Sequence, residues 1–487
     1  MCARSSVAAA VSAVRGRGFA ALLCAGIAGC AVGPDFQRPA PPGVSGYAHG
    51  GDPSVTTPAH GVAQHFQPGA AVAPDWWRQF GSPALDAAVT AALDRNPGLQ
   101  AAEASLRASQ DQLRSGYGIF YPQVAADARG TRQRYSPVTT GGSGPGTIFN
   151  LFTLSASASY ALDVFGGERR TLEGLSAQVE VQRATEQATY LTLVSNIVNT
   201  VVARAAYQAQ IDATQQLITL ERQQVALAQV QYGAGTQPYS TVLSLQSQLA
   251  SSEAAIPQLQ QKLSQSEDLL ATLAGTFPAQ WDPPAIDLRD LKLPADLPVT
   301  LPSDLVRRRP DILAAEATAH AASASVGVAT AAMLPSITLS ADYSANSTAT
   351  SQLFAVNGRA WSFGADLAAP IFEGGTLWYR RKAAADSFTQ AMALYRQTVL
   401  GAFEQVADSL RALEHDAAAL QAEDEALRTA EEALHLVQTD YEAGLDTYLD
   451  VLNADTQYHQ ALISQIQAAA LRYQDTVALH VALGGGW

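Results

Sequence analysis

Between positions 152 and 164 the chain alternates, with Phe152, Leu154, Ala156, Ala158, Tyr160, Leu162 and Val164 set against Thr153, Ser155, Ser157, Ser159 and Asp163. A two-residue period puts the two sets on opposite faces of a strand. Ile337, Leu339, Ala341 and Tyr343 alternate in the same way with Ser336, Thr338, Ser340 and Asp342, and Trp361, Phe363, Ala365, Leu367 and Ile371 with Ser362, Gly364 and Asp366. Residues 123–135 read as a weaker fourth strand. Segments 136–147, with Gly141-Gly142-Ser143-Gly144-Pro145-Gly146, and 345–357 read as the loops of two hairpins. Elsewhere the period is helical. Leu85, Val89, Leu93, Leu99, Leu106 and Leu113 predict helix over 83–117, with 310–332 as its counterpart. Residues 168–232 and 376–441 lack proline and would each span about 95 Å as one helix. Gly235 and Gly444 read as left-handed caps, after which 239–274 and 448–483 run back as second helices. Pro257 stands in the first return helix where the second has Ile466, which predicts a kink in the first alone.

The pattern is written twice. Asn96-Pro97, Glu103 and Tyr121-Pro122 recur at the same intervals as Arg309-Pro310, Glu316 and Leu334-Pro335. Tyr232-Gly233-Ala234-Gly235 recurs as Tyr441-Glu442-Ala443-Gly444, and Gly275 as Gly484. Each copy is a unit of about 200 residues. The expected division is a signal segment 1–29, an extended arm 30–82, a first repeat 83–275 (hairpin 122–165, long helices 168–232 and 239–274), a linker 276–302, and a second repeat 303–487 (hairpin 335–372, long helices 376–441 and 448–483). The arm is rich in Pro, Gly, Ala and His without a period, as suits a strap over the body.

Arg4, Arg15 and Arg17 precede a short apolar run ending in Ile27-Ala28-Gly29-Cys30. That is an export signal closing on what resembles a bacterial lipobox, with Cys30 as the lipid attachment point. All 3 cysteines, Cys2, Cys24 and Cys30, lie in this segment, so none remains for a disulfide or thiol chemistry. Ala31 and Val32 follow the cysteine rather than the Asp that signals inner-membrane retention, which favours the outer membrane. The net charge of −14 makes nucleic acid an unsuitable partner. The acidity concentrates in the second copy, from Glu404 to Asp455, where a solvated helix face and a cation-favouring duct wall are both open readings.

No exported segment offers the roughly 20 apolar residues of a membrane helix, whereas four strands of about ten residues fit a transmembrane barrel. Four strands cannot close, and an open edge in hydrocarbon leaves backbone groups unpaired. Several copies must therefore pool their hairpins, giving eight, twelve or sixteen strands. Tyr160, Tyr343, Trp361 and Phe363 are candidate interfacial aromatics. Arg307, Arg308, Arg309, Asp311 and Glu316 read as a structural network at a helix start rather than a catalytic cluster. His49, His60 and His65 have no compact metal-ligand spacing, and no nucleophile elbow or phosphate loop is present, so no enzyme is expected.

Cys30-Ala-Val-Gly-Pro-Asp-Phe-Gln-Arg-Pro39, Trp76-Trp77-Arg-Gln-Phe80, Leu301-Pro-Ser-Asp-Leu-Val-Arg-Arg-Arg-Pro-Asp-Ile-Leu-Ala-Ala-Glu316 and Pro370-Ile-Phe-Glu-Gly-Gly375 together resemble TolC-family outer-membrane efflux lipoproteins of the NodT type. The resemblance implies a mostly α fold with a transmembrane β-barrel portion: a homotrimer whose strands form one 12-stranded barrel and whose long helices form a periplasmic α-barrel. It implies passive export of small molecules, with a periplasmic adaptor and an inner-membrane resistance-nodulation-division transporter as partners. The site would be the outer membrane of a Gram-negative bacterium, with lipid on Cys30 and no cofactor or metal. It also implies adaptor contacts at Tyr232, Gly235, Tyr441 and Gly444, and a periplasmic gate at Asp450 with Asp446, Asn453 and Thr241 at neighbouring gate positions. Asp446 and Thr241 depart from relatives that carry a basic residue and an acid there, which puts a salt-bridge latch in doubt. A type I protein-secretion duct and an oligomeric helical surface scaffold are the alternatives.

Overall fold

The computed structural model describes residues 31–137 and 141–486. The expected signal segment, Cys30 and part of the first hairpin loop lie outside the described residues. Eight α-helices are described: α1 (Pro83–Arg95), α2 (Pro97–Gly116), α3 (Gly167–Gly233), α4 (Tyr239–Leu273), α5 (Pro302–Arg308), α6 (Pro310–Ala331), α7 (Thr376–Glu442) and α8 (Tyr448–Ala482). Helices α3 and α7 are 67 residues each, about 100 Å of continuous helix. The strands are β1 (His65–Pro68), β2 (Gln123–Tyr135), β3 (Thr147–Leu162), β4 (Asp296–Val299), β5 (Ser336–Ser347) and β6 (Arg359–Ala368).

Two compact units emerge, and neither coincides with one sequence repeat. The first holds residues 31–38, 107–181 and 316–394; the second holds 39–106, 182–315 and 395–486. Each draws on both repeats because a 67-residue helix is longer than any one hydrophobic core.

The first unit contains the antiparallel sheet β2-β3-β5-β6. Its register aligns Ala126, Ala156, Tyr343 and Trp361 in one row and Ala125, Ser157, Asp342 and Ser362 in the next, so one face is apolar and the other small and polar. The outer strands β2 and β6 carry no further strand partner among the described residues.

The second unit buries the main core, with Trp76, Phe80, Leu85, Ile197, Leu305, Leu410 and Val477 inside it. Here the duplicated X-Pro motif acquires a physical reason. Asn96 accepts the Leu99 N–H at 3.0 Å as the cap of α2 and donates through Nδ2 to the Leu273 carbonyl at 2.9 Å. Its counterpart Arg309 donates through Nη1 to the Ala482 carbonyl at 2.8 Å. In each copy this residue satisfies an otherwise orphaned carbonyl at the end of the return helix. The adjacent glycines, Gly275 (φ 70°) and Gly484 (φ 92°), are left-handed caps pressed against Arg95 and Arg309.

Three expectations need correction. The arm is not merely a strap: β1 pairs in parallel with β4, and Thr56, Ala59, Gln64 and Phe66 are buried. The prolines in His65–Pro68 and Asp296–Val299 hide that two-stranded sheet from any periodicity test. Residues 83–117 form two helices rather than one, parted at Asn96-Pro97; Pro257, by contrast, lies inside α4, where it removes one backbone hydrogen bond. Finally, α6 is long and apolar enough to cross a membrane by composition. That is a consequence of its alanines, for Ala319, Ser323 and Ala324 are buried within the protein, while Glu316 and His320 take partners there.

Candidate functional site

The candidate site has three parts: the helical turns around Gly235 and Gly444, the anchored N-terminal segment, and the edges of the four-stranded sheet.

Both turns follow the same chemistry. After α3, Gly235 (φ 74°) donates its N–H to the Tyr232 carbonyl and Thr236 donates to Gln231. After α7, Gly444 (φ 75°) donates to Tyr441 and Leu445 to Asp440. These paired bonds satisfy the last carbonyls of each helix with a residue that bears no Cβ penalty at positive φ. Across each turn two half-exposed tyrosines meet, Tyr232 with Tyr239 at 5.1 Å and Tyr441 with Tyr448 at 5.7 Å between ring centroids. The Tyr448 hydroxyl donates to Gln223 at 2.9 Å, and buried Gln224 donates to the Leu452 carbonyl and to Thr456, which ties the second copy's return helix to α3 of the first.

The gate candidates distribute unevenly. Thr447 Oγ1 accepts the Asp450 N–H, and the Asp450 carboxylate accepts the Thr447 N–H at 3.0 Å, a capping box that opens α8. The Thr447 hydroxyl and backbone hold the Asp450 carboxyl below its ordinary range, so it is ionised at neutral pH. Asn453 is exposed one turn further along, while Asp446 is half-buried before the helix begins. Thr241 sits at the start of α4, where the cap is Pro238 and the side chain makes no cap bond. No described hydrogen bond or ion pair joins Thr241 to the three residues of the second turn. The capping role of Asp450 was legible in Thr447-x-x-Asp450 but went unread.

The residues after Cys30 are held within the first unit. Arg170, nearly buried, donates through Nε to the Val32 carbonyl at 3.2 Å and through Nη2 to Asp35 at 2.6 Å, and pairs with Glu173 at 2.7 Å. Phe36 stacks on His320 at 4.5 Å and Arg38 pairs with Glu316 at 2.6 Å. Gly33 (φ 95°) passes so close to Gly327 that a Cβ would lie 2.4 Å from its Cα. Arg309 and Asp311 pair in the second unit, whereas Glu316 serves this N-terminal anchor in the first, so the basic and acidic residues of 307–316 are not one cluster.

A second anchor holds the arm within the other unit, and the sequence reading missed it. Fully buried Arg472 donates to Gln64 Oε1 and to the carbonyls of Ala59 and Val62 at 3.1 Å, and to Thr56 Oγ1 at 3.3 Å. His60 binds Asp424 through its backbone N–H at 2.7 Å, and Gln465 donates to the same carboxylate at 3.0 Å. A charged residue on the apolar stripe Ala469, Tyr473, Val477 was the signal. Among the described residues no group of three metal-capable side chains forms, so His49, His60 and His65 are not brought together. In the acidic second copy, Arg428 takes Glu425 and Glu432. Burial, with Asp475 as hydrogen-bond partner, pushes Asp416 up to about 7.

The outer membrane efflux protein family model matches residues 88–276 and 301–485, the two repeats seen here. The chain belongs to that family. This family member is 31% identical over 473 residues to the toluene efflux pump outer membrane protein TtgC of Pseudomonas putida, covering 95% of this chain and 93% of that protein. It is 31% identical over 422 residues to the pyoverdine export outer membrane protein OpmQ of Pseudomonas aeruginosa, covering 85% and 87%. The solved structure of the outer-membrane channel OprN superposes with a TM-score of 0.83 at 27% identity, covering 94% of this chain and 100% of that one. As an outer membrane efflux protein, the chain has the mostly helical architecture of such channels.

Proposed function

We propose that three copies of this chain form a passive exit duct that carries small molecules from the periplasm to the exterior, fed by an inner-membrane resistance-nodulation-division transporter through a periplasmic adaptor. The observation that carries this is the sheet β2-β3-β5-β6 with a free strand at each end and one apolar face. In hydrocarbon those two edges must be paired, and identical copies supply the complementary edge, giving twelve strands from three chains. The Ser and Asp rows then face a water-filled bore. The repeats 83–275 and 303–487, with the arm 30–82 and linker 276–302, are the working divisions of each subunit.

Cys30 carries the lipid, and the Arg170 anchor fixes the chain immediately after it. The turns at Tyr232–Gly235 and Tyr441–Gly444 receive the adaptor, their half-exposed tyrosine pairs offering a rigid apolar surface. One Asp450 from each copy converges at the periplasmic mouth, where ionised carboxylates repel one another and attract cations, while Asp446, Asn453 and Thr241 line the same constriction without a salt-bridge latch. The duct performs no chemistry of its own and needs no cofactor. Single-channel recording after reconstitution, with mass measurement in detergent, tests the reading: a trimer with a water-filled conductance is expected, and a monomer that passes no current overturns it.

A further inference from the structure

Pro370-Ile371-Phe372-Glu373-Gly374-Gly375 leads from β6 into α7, and none of the roles above uses it. Ile371 and Phe372 are 92% and 88% exposed, the two most exposed large apolar side chains among the described residues. Solvated apolar side chains of this size, side by side, mark a surface waiting for a partner.

The first repeat shows what such a segment does when its partner is present. After β3, Val164 and Phe165 lead into α3 through left-handed Gly166 (φ 79°), just as Ile371 and Phe372 lead into α7 through left-handed Gly375 (φ 87°). Yet residues 163–167 are buried or half-buried. They are covered by the end of α6, where a Cβ on Gly167 would lie 3.0 Å from Ala331 Cβ, and by Ala31 and Val32, whose N–H donates to Phe165. This cover follows from strand pairing. β3 lies antiparallel to β5, so the residues leaving β3 meet the residues entering β5. β3 is flanked by two entering strands, β2 and β5, whereas β6 has an entering strand, β5, on one side alone, and its other side carries no strand among the described residues.

We infer that Ile371 and Phe372 of one copy pack on Tyr117, Ile119 and Tyr121 of the next copy around the barrel. The inference rests on the trimer proposed above. Antiparallel closure of β6 on the neighbour's β2 sets the end of β6 at Ala368 against the start of β2 at Gln123, so the two exposed apolar groups meet below the seam. Tyr117 and Tyr121 are themselves exposed in the single chain and stand where Thr330 and Leu334 stand in the second repeat. The apolar pair is thus a lock between subunits at the periplasmic rim of the barrel, repeating across the interface the contact that β3 and α6 make within a chain.

The test uses the full-length chain in outer membranes, where Cys2 and Cys24 lie in the signal segment and Cys30 carries the lipid. Phe372→Cys combined with Tyr121→Cys, treated with a short flexible bis-maleimide, is expected to give covalent dimers and trimers on denaturing gels, while either substitution alone gives monomer. Ala126→Cys with Ala365→Cys, inside β2 and β6, reports the strand seam separately. A ladder at 126/365 without one at 121/372 overturns the rim lock and leaves the trimer standing; no ladder at either pair overturns both. A ladder from Phe372→Cys alone also overturns the lock, because it places the residue against its own copies. Should the 121/372 pair fail to assemble, Ile371→Cys with Ile119→Cys carries the same prediction.

Discussion

Replacing Arg472 with Ala should release the arm from the body. The guanidinium makes four hydrogen bonds at 3.1 to 3.3 Å in a site with no exposure. Their loss is not four independent losses. The Ala59 and Val62 carbonyls keep each other's N–H groups, and Thr56 Oγ1 keeps the Gln64 N–H. Gln64 Oε1 is the acceptor left stranded, at about 1–3 kcal/mol for a buried unpaired group, and the vacated volume adds to it. Burial disfavours the guanidinium charge, and removing it returns part of the cost. The net loss is about 2–4 kcal/mol, which raises the open population of the arm roughly 30-fold to 1,000-fold. Because the arm after Arg38 has no Lys or Arg before Arg78, cleavage by a protease of apolar specificity at Val55, Val62 or Phe66 is the readout. Arg472→Met with Gln64→Leu should recover most of the protection, since both polar partners then leave together. A cleavage rate that Arg472→Ala raises less than fivefold, or a double variant no better than the single, would refute the clamp.

Gly275→Ala should destabilise by about 2 kcal/mol or more, combining positive-φ strain with a Cβ 2.5 Å from the Arg95 carbonyl, whereas Gly444→Ala, in open space, should cost about 1 kcal/mol; urea midpoints of the solubilised protein compare the two. Asp416 has its folded pKa raised from 3.8 to about 7, so its stabilising contribution is complete below the unfolded value and is lost as pH rises toward 7; Asp416→Asn should flatten that slope and raise the melting temperature at pH 8. His480, stacked on Trp76 at 4.9 Å and donating from Nδ1 to the Thr476 carbonyl, has its pKa depressed to about 4 by burial, so stability should fall as pH drops from 6.5 towards 4, and His480→Gln should blunt that fall in thermal scans across the range. Asp450→Asn keeps an acceptor for the Thr447 N–H and removes the charge, so cation selectivity in planar bilayers should drop, while Thr447→Ala removes the cap and leaves selectivity intact; the opposite pattern would separate Asp450 from the gate.

The elements themselves were largely legible in the chain. The alternation from Phe152 to Leu162 lies within β3, the runs at 168–232 and 376–441 lie within α3 and α7, and Gly235 and Gly444 adopt the left-handed conformation their position implied. Such signals are local, because a period of two or of 3.6 residues and a cap glycine report on neighbours a few positions apart. The repeated X-Pro motif was visible as a repetition, but its work was not. Only packing shows that Asn96 and Arg309 reach the carbonyls of Leu273 and Ala482, residues distant in sequence and brought close by the return helices.

The strand faces, the two long helical turns and the duplication were determined by the sequence, since each follows from which side chains sit on which side of a regular backbone. The β1–β4 pairing, the clamp of Arg472 on Gln64 some 408 positions away, the Asp416–Asp475 contact and the exposure of Ile371 and Phe372 were decided by the tertiary structure. The physical reason is one of range. A buried charge or a bare apolar pair has meaning only against the surface that does or does not cover it, and that surface is assembled from segments the linear pattern keeps far apart.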